Sequence, residues 1–97
     1  MNRYIVLASF TDQGIRSVKD TTKRAAAVRE MAPQFGVKVN DVFWTLGKYD
    51  VVLTLEAQDD TAVTAFGLSI AAQGNVHTQT LRAFSEDDMK GILGKMR

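Results

Sequence analysis

The 97 residues include no cysteine. That excludes disulfides, thiolate zinc sites, iron–sulfur clusters and cysteine nucleophiles. Charge of one sign is lacking as well. Twelve Lys and Arg stand against 11 Asp and Glu, for a net charge of +1, and no block of like charge occurs. Nucleic-acid binding normally needs a clustered basic face, so no nucleic-acid partner is expected. Apolar runs are short and fall well below the roughly 18–20 residues of a membrane span. The opening "MNRYIVLASF" leads into "TDQG" rather than a small-residue cleavage site, so it reads as a strand and not a signal peptide. A cytoplasmic location with no membrane partner is the expectation. Proline occurs once and histidine once. The lone His77 supplies neither a Ser-His-Asp constellation nor metal-ligand spacing.

What is present is a regular alternation of elements in one domain, residues 1–97. "YIVLASF" (residues 4–10) is apolar nearly throughout and rich in strand formers. After "TDQG", the stretch "TTKRAAAVREMAPQFG" sets Ala25, Val28, Met31, Ala32 and Phe35 on one helical stripe. Asp20 or Thr21 serves as its N-cap, Pro33 kinks or ends it, and Gly36 stops it. "VKVNDVFWTLG" and "YDVVLTLE" are strands joined at Gly47-Lys48, which suits a two-residue type II′ turn. "DDTAVTAFGLSIAAQGN" is a second helix with Ala62, Val63, Phe66 and Ile70 on its apolar face. Asp59 or Asp60 caps it, and the helical Gly67 suggests close packing. "VHTQTLRAF" is a fourth strand. "SEDDMKGILGKMR" is a terminal helix with Ser85 as N-cap and an apolar stripe of Met89, Ile92, Leu93 and Met96.

The order is β-α-β-β-α-β plus a C-terminal helix. Right-handed crossovers then give the α+β ferredoxin-like fold: a four-stranded antiparallel sheet with helices on one face. A two-residue turn pairs Trp44 with Val51 and Phe43 with Val52. It sorts Val42, Trp44, Leu46, Tyr49, Val51, Leu53 and Leu55 beneath the helices. The other face carries Asp41, Phe43, Thr45, Asp50, Val52, Thr54 and Glu56. Exposed Phe43 and Val52 mark an interface. The expectation is a homodimer, or a higher homo-oligomer, with two sheets packed face to face through Phe43, Thr45, Val52 and Thr54.

"FTDQGIRSVKD", "FWTLGKYDVVLTLEAQDD" and "GNVHTQTLRAFSEDD" together resemble the GYD-domain family, named for Gly-x-Tyr-Asp, here Gly47-Lys48-Tyr49-Asp50. The resemblance covers almost the whole chain and implies a dimeric α/β barrel of ferredoxin-like halves. More distantly, "TLGKYDVVLTLEAQDD…NVHTQT" resembles the ligand-sensing half of Lrp/AsnC transcription regulators. There a Gly-x-Tyr-Asp hairpin and a Thr-bearing strand contribute to an amino-acid site between subunits. The resemblance implies Gly47, Asp50, Thr78 and Thr80 as ligand-binding positions. It does not extend to a helix-turn-helix module, so DNA reading is not carried over.

Two readings of Asp50 stand side by side. It fixes its own turn by accepting backbone N–H bonds, or it binds a ligand ammonium or a partner arginine in an interfacial cleft. Arg82 follows Thr78 and Thr80 at strand spacing and joins the ligand-binding set as a carboxylate clamp; its bland role is an edge salt bridge. No catalytic residue, metal or cofactor is assigned. The functional expectation is a non-catalytic, oligomeric module that binds a small molecule, such as an amino acid, or a protein. The competing class is a small dimeric α/β-barrel enzyme using Asp50, His77 or Tyr4 for acid–base chemistry.

Overall fold

A computed structural model describes all of residues 1–97. Strand β1 (Asn2–Phe10) leads into a short helix α1 (Asp12–Arg16), a 3-10 turn and helix α2 (Thr21–Met31). Strands β2 (Val37–Trp44) and β3 (Val51–Ala57) follow, then α3 (Asp60–Ala71), β4 (Val76–Ala83) and α4 (Glu86–Gly94). The four strands lie in the order β2-β3-β1-β4, every neighbour antiparallel. This is the ferredoxin-like arrangement that the element order implies.

Alternation along β1 decides the layers. Tyr4, Val6 and Ala8 are buried opposite Leu55, Leu53 and Val51 on β3. Helices α2 and α3 cover that face with Val28, Met31, Val63 and Phe66, joined by Ala32 just after α2. Pro33 lacks an N–H and cannot continue an α-helix without loss, and the chain tightens there into a 3-10 turn, Ala32–Phe35. Gly36 then takes the left-handed conformation that ends it. The helix starts follow the sequence. Asp59 accepts the Ala62 N–H at 2.9 Å. Ser85 and Asp88 form a capping box at α4, and the bond from the Ser85 N–H lowers the Asp88 pKa below 3.8. Asp20 sits at the N-cap of α2 without a side-chain cap bond.

Strand β2 carries a bulge. Val39 pairs with Leu55 and Asp41 with Thr54, which leaves Asn40 as an extra residue. An extra residue reverses the alternation. It lets Val37 and Val39 face the helices on one side of the bulge and Val42 and Trp44 on the other. Asn40 uses its freed position to donate to Glu56 Oε2 at 3.1 Å.

The "TDQG" segment makes an interlock rather than a plain turn. Thr11 N–H donates to the Asn75 carbonyl at 3.0 Å, and Thr11 Oγ1 donates to the Gly74 carbonyl at 2.6 Å. Gln13 Nε2 donates to the Gln73 carbonyl and to Asn75 Oδ1, both at 3.0 Å. Gly14 is buried in this junction, where a Cβ would stand 2.0 Å from the Asn75 carbonyl oxygen. Arg24 braces it from α2, donating to the Ser17 and Gly14 carbonyls.

Gly67 is different. A Cβ there meets nothing within 4 Å, so the close packing expected from the sequence is not what this glycine provides. Gly14→Ala is expected to destabilise by about 1–3 kcal/mol or more through overpacking. Gly67→Ala is expected to be neutral or to stabilise by up to about 1 kcal/mol through helix propensity. Urea unfolding of the two variants checks both signs.

Candidate functional site

The β2–β3 connection departs from a two-residue turn. The ladder ends at Trp44–Val51, and residues 45–50 form a wider loop. The expected register holds up to that point, and the Thr45 N–H still donates to the Asp50 carbonyl at 2.9 Å. Beyond it, Leu46 is fully exposed. Tyr49 reaches the open face, where its hydroxyl donates to Gln79 Oε1 at 3.1 Å. Neither residue lies beneath the helices. Trp44 is on the helix side but 45% exposed, and its indole N–H donates to Thr21 Oγ1 at 3.0 Å. The loop breaks the two-residue register because three bonds hold it elsewhere. Thr45 Oγ1 donates to the Tyr49 carbonyl at 2.6 Å, Ser9 Oγ to the Lys48 carbonyl at 3.3 Å, and the Asp50 N–H to the Ala8 carbonyl at 2.8 Å. Gly47 takes φ 121°, a conformation glycine adopts readily.

Asp50 is committed to the backbone. Its Oδ2 accepts the Phe10 N–H at 2.8 Å, a donor at the end of β1. The carboxylate therefore stitches the hairpin to the central strand, not only to its own turn. Gly47 and Asp50 sit at the Phe10 end of β1. Arg82 sits opposite Tyr4 at the other end of that strand, roughly 20 Å away at strand rise. Thr78 and Thr80 oppose Ala8 and Val6 and so share the helix-facing side. They line an open cleft of about 230 Å³ between β4 and α3, floored by Gly67. The structure does not bring Gly47, Asp50, Thr78, Thr80 and Arg82 into one pocket within the chain. Phe43, Val52 and Thr54 do share the opposite, open face, and Thr54 Oγ1 donates to Asp41 Oδ2 at 2.7 Å.

That open face has an ordered composition. One row across the sheet is Phe43–Val52–Leu7–Gln79, and the next is Asp41–Thr54–Ile5–Leu81. No helix covers it. Phe43 is 56% exposed. His77 stands exposed on this face opposite Ser9, and no cluster of three His, Asp or Glu residues fit to hold a metal occurs. Beneath the helices, an apolar cavity of about 70 Å³ is lined by Val6, Ala8, Val28, Leu53, Ile70 and Val76 among others.

Sequence reasoning did not find a cluster at the Arg82 end. Tyr4 is buried, and its hydroxyl donates to Asp60 Oδ1 at 2.6 Å. The Arg82 guanidinium lies 5.6 Å from the Tyr4 ring centroid and 4.6 Å from that of Phe84. Burial, reinforced by the bond to Asp60, raises the Tyr4 pKa above 10.0. The phenol therefore stays protonated at neutral pH, which suits a donor and not a base. A Tyr in an otherwise apolar strand, with Asp at the start of α3, is the only sequence trace of this pair.

The GYD domain family model matches residues 4–93. The chain belongs to that family. A Thermus thermophilus protein named glutamine synthetase and cystathionine beta-lyase binding protein is 36% identical over 90 residues, which cover 92% of this chain and 95% of the relative. Among solved structures, MtbAldR superposes with a TM-score of 0.68 at 15% identity, over 88% of this GYD domain and 54% of that chain. A feast or famine regulatory protein from M. tuberculosis, complexed with L-methionine, gives 0.64 at 19%, over 90% and 54%. FFRP-DM1 gives 0.60 at 19%, over 87% of this domain and all of its own chain. The GYD domain thus spans about half the length of two of these regulators, and at such identities the likeness shows the fold alone.

Two outcomes follow from the site geometry. Asp50→Ala should destabilise by about 1–3 kcal/mol, because it strands a backbone donor and removes a charged acceptor; faster hydrogen exchange at the Phe10 amide identifies the lost bond. Tyr4 has its folded pKa raised above the unfolded value, so its contribution is complete below about pH 10. It is lost as pH rises through the folded pKa. Unfolding midpoints of wild type and Tyr4→Phe should therefore converge above that pH.

Proposed function

We propose that this GYD domain is a non-catalytic binding module that pairs with itself through the open face of its sheet and, as that assembly, holds another protein. The observation that carries the reading is the uncovered Phe43–Val52–Leu7 row, flanked by Ile5 and Leu81. Apolar side chains side by side on one sheet face mark an interaction surface when no helix covers them. A two-fold pair buries such a surface with one self-complementary patch. Thr45 and Thr54 flank it with hydroxyls and complete the proposed homotypic interface.

Three features favour binding over catalysis. Asp50 already serves the Phe10 N–H, Tyr4 is tied to Asp60, and His77 is exposed without a neighbouring ligand set. Each group that acid–base chemistry would need is thus either engaged or isolated. The relative's name assigns it two enzymes as partners, and its alignment reaches nearly end to end. A metabolic enzyme is therefore the partner class proposed for this domain. No helix is long and apolar enough to cross a membrane, which agrees with a partner in solution.

The experiment combines assembly and capture. Sedimentation velocity at micromolar concentration should give a dimer or larger assembly, and Phe43→Glu with Val52→Glu should give a folded monomer. Immobilised wild-type protein should retain purified glutamine synthetase or cystathionine beta-lyase, and the double variant should retain less. A monomeric wild type that captures neither enzyme would sink the reading.

A further inference from the structure

We infer that α4 is an exchanged arm, whose apolar stripe packs on a second copy of this chain. The inference rests on the self-association proposed above and adds the element that completes it. Helix α4 begins well and then has little to hold it. Its capping box is intact, but it has only nine residues with Gly91 among them. Isolated helices shorter than about 12–15 residues are marginal in water, and an internal Gly weakens them further. Such a helix normally depends on tertiary packing of its apolar face. Here α4 makes at most marginal contact with the other elements, and Met89, Ile92, Leu93 and Met96 are all exposed. Phe84 at its base is exposed too.

The dimensions of the molecule agree. A folded monomer of 10.7 kDa exposes about 5,500 Å² by the usual mass scaling. This chain exposes 6549 Å², an excess of about 1,000 Å² over that scaling. A standard protein–protein interface buries about 800 Å² on each partner, so the surplus matches what one stable interface removes. The radius of gyration is 14.6 Å, against about 12.5 Å for a compact chain of this length. The extents of 50 × 31 × 18 Å describe a body with a projection.

Charge argues against a lipid surface as the occupant. Glu86, Asp87 and Asp88 balance Lys90, Lys95 and Arg97, whereas helices that lie on anionic membranes carry a Lys/Arg-rich polar face. An uncharged apolar stripe flanked by both signs suits a copy that offers the same two signs in reverse. A two-fold operation supplies that arrangement, since each arm then meets the surface from which the other departs.

The test uses the full chain. Met89→Glu with Leu93→Glu replaces two exposed side chains, so the monomer fold should survive, with an unchanged unfolding midpoint at low concentration. The dimer dissociation constant should rise by at least about tenfold, given the apolar burial lost. Since the chain has no cysteine, Ile92→Cys can carry a single photo-cross-linker. Irradiating a mixture of isotope-labelled and unlabelled copies should give adducts of mixed mass. An unchanged dissociation constant, or adducts only within one copy, overturns the arm while leaving the sheet interface standing. A wild type that stays monomeric at micromolar concentration overturns both. Release of full-length protein from phosphatidylglycerol vesicles by the same double variant would assign the stripe to a membrane and overturn the arm.

Discussion

The β1–β3 ladder pairs Tyr4 with Leu55, Val6 with Leu53 and Ala8 with Val51, and all six side chains are buried on the helix side. Strand alternation then forces the residues between them onto the other side. Burying that set beneath α2 and α3 therefore presents Ile5, Leu7, Val52 and Thr54 on the opposite face. The core and the uncovered apolar face are two consequences of one register. A slip of one residue would exchange them. The three extra ties around β1, from Asp50 to the Phe10 N–H, from Ser9 to the Lys48 carbonyl and from the Asp50 N–H to the Ala8 carbonyl, all fall at the end where the ladder stops. They hold the register where backbone pairing no longer does.

The Gly-x-Tyr-Asp segment has a structural task in this chain. Gly47 allows the loop to turn, Tyr49 spans the open face to Gln79, and Asp50 closes β1. The segment is a clasp that ties the hairpin to strands β1 and β4. The "TDQG" and "QGN" segments form a second clasp from the α3–β4 turn, with Gly14 at its centre because no Cβ fits there. Both clasps lie at the same end of the sheet, since Phe10 pairs with Val76. Motifs far apart in sequence thus converge on one structural task.

A domain of this size has little interior. Twelve of its 97 residues are buried, and small domains bury a smaller share of their surface than large ones do. The uncovered sheet face and the unsupported α4 are what remain once α2 and α3 have covered one side. Association with another surface, as proposed above, would give such a chain further burial.

Much of this was legible in the sequence. Apolar periodicity located the strands and main helices. Element order implied the ferredoxin-like sheet, Asp59 or Asp60 and Ser85 marked helix starts, and the spacing of Phe43 and Val52 put them together on the open face. Local chemistry is enough for such features, because they depend on periods of two and 3.6 residues and on neighbours a few positions away. The rest needed tertiary structure. The Asn40 bulge is decided only by the pairing of Val39 with Leu55 and Asp41 with Thr54 on β3. Gly47-Lys48 has the composition of a two-residue turn, yet bonds to Ser9, Ala8 and Phe10 on another strand open it into a loop. Gly67 and Gly14 look alike in sequence, and what stands opposite each one makes the first permissive and the second obligatory. Sequence by itself determined which elements form and which faces are apolar. The contacts between distant segments decided what each polar side chain is free to do, because a hydrogen-bond partner 40 or 60 residues away leaves no local trace.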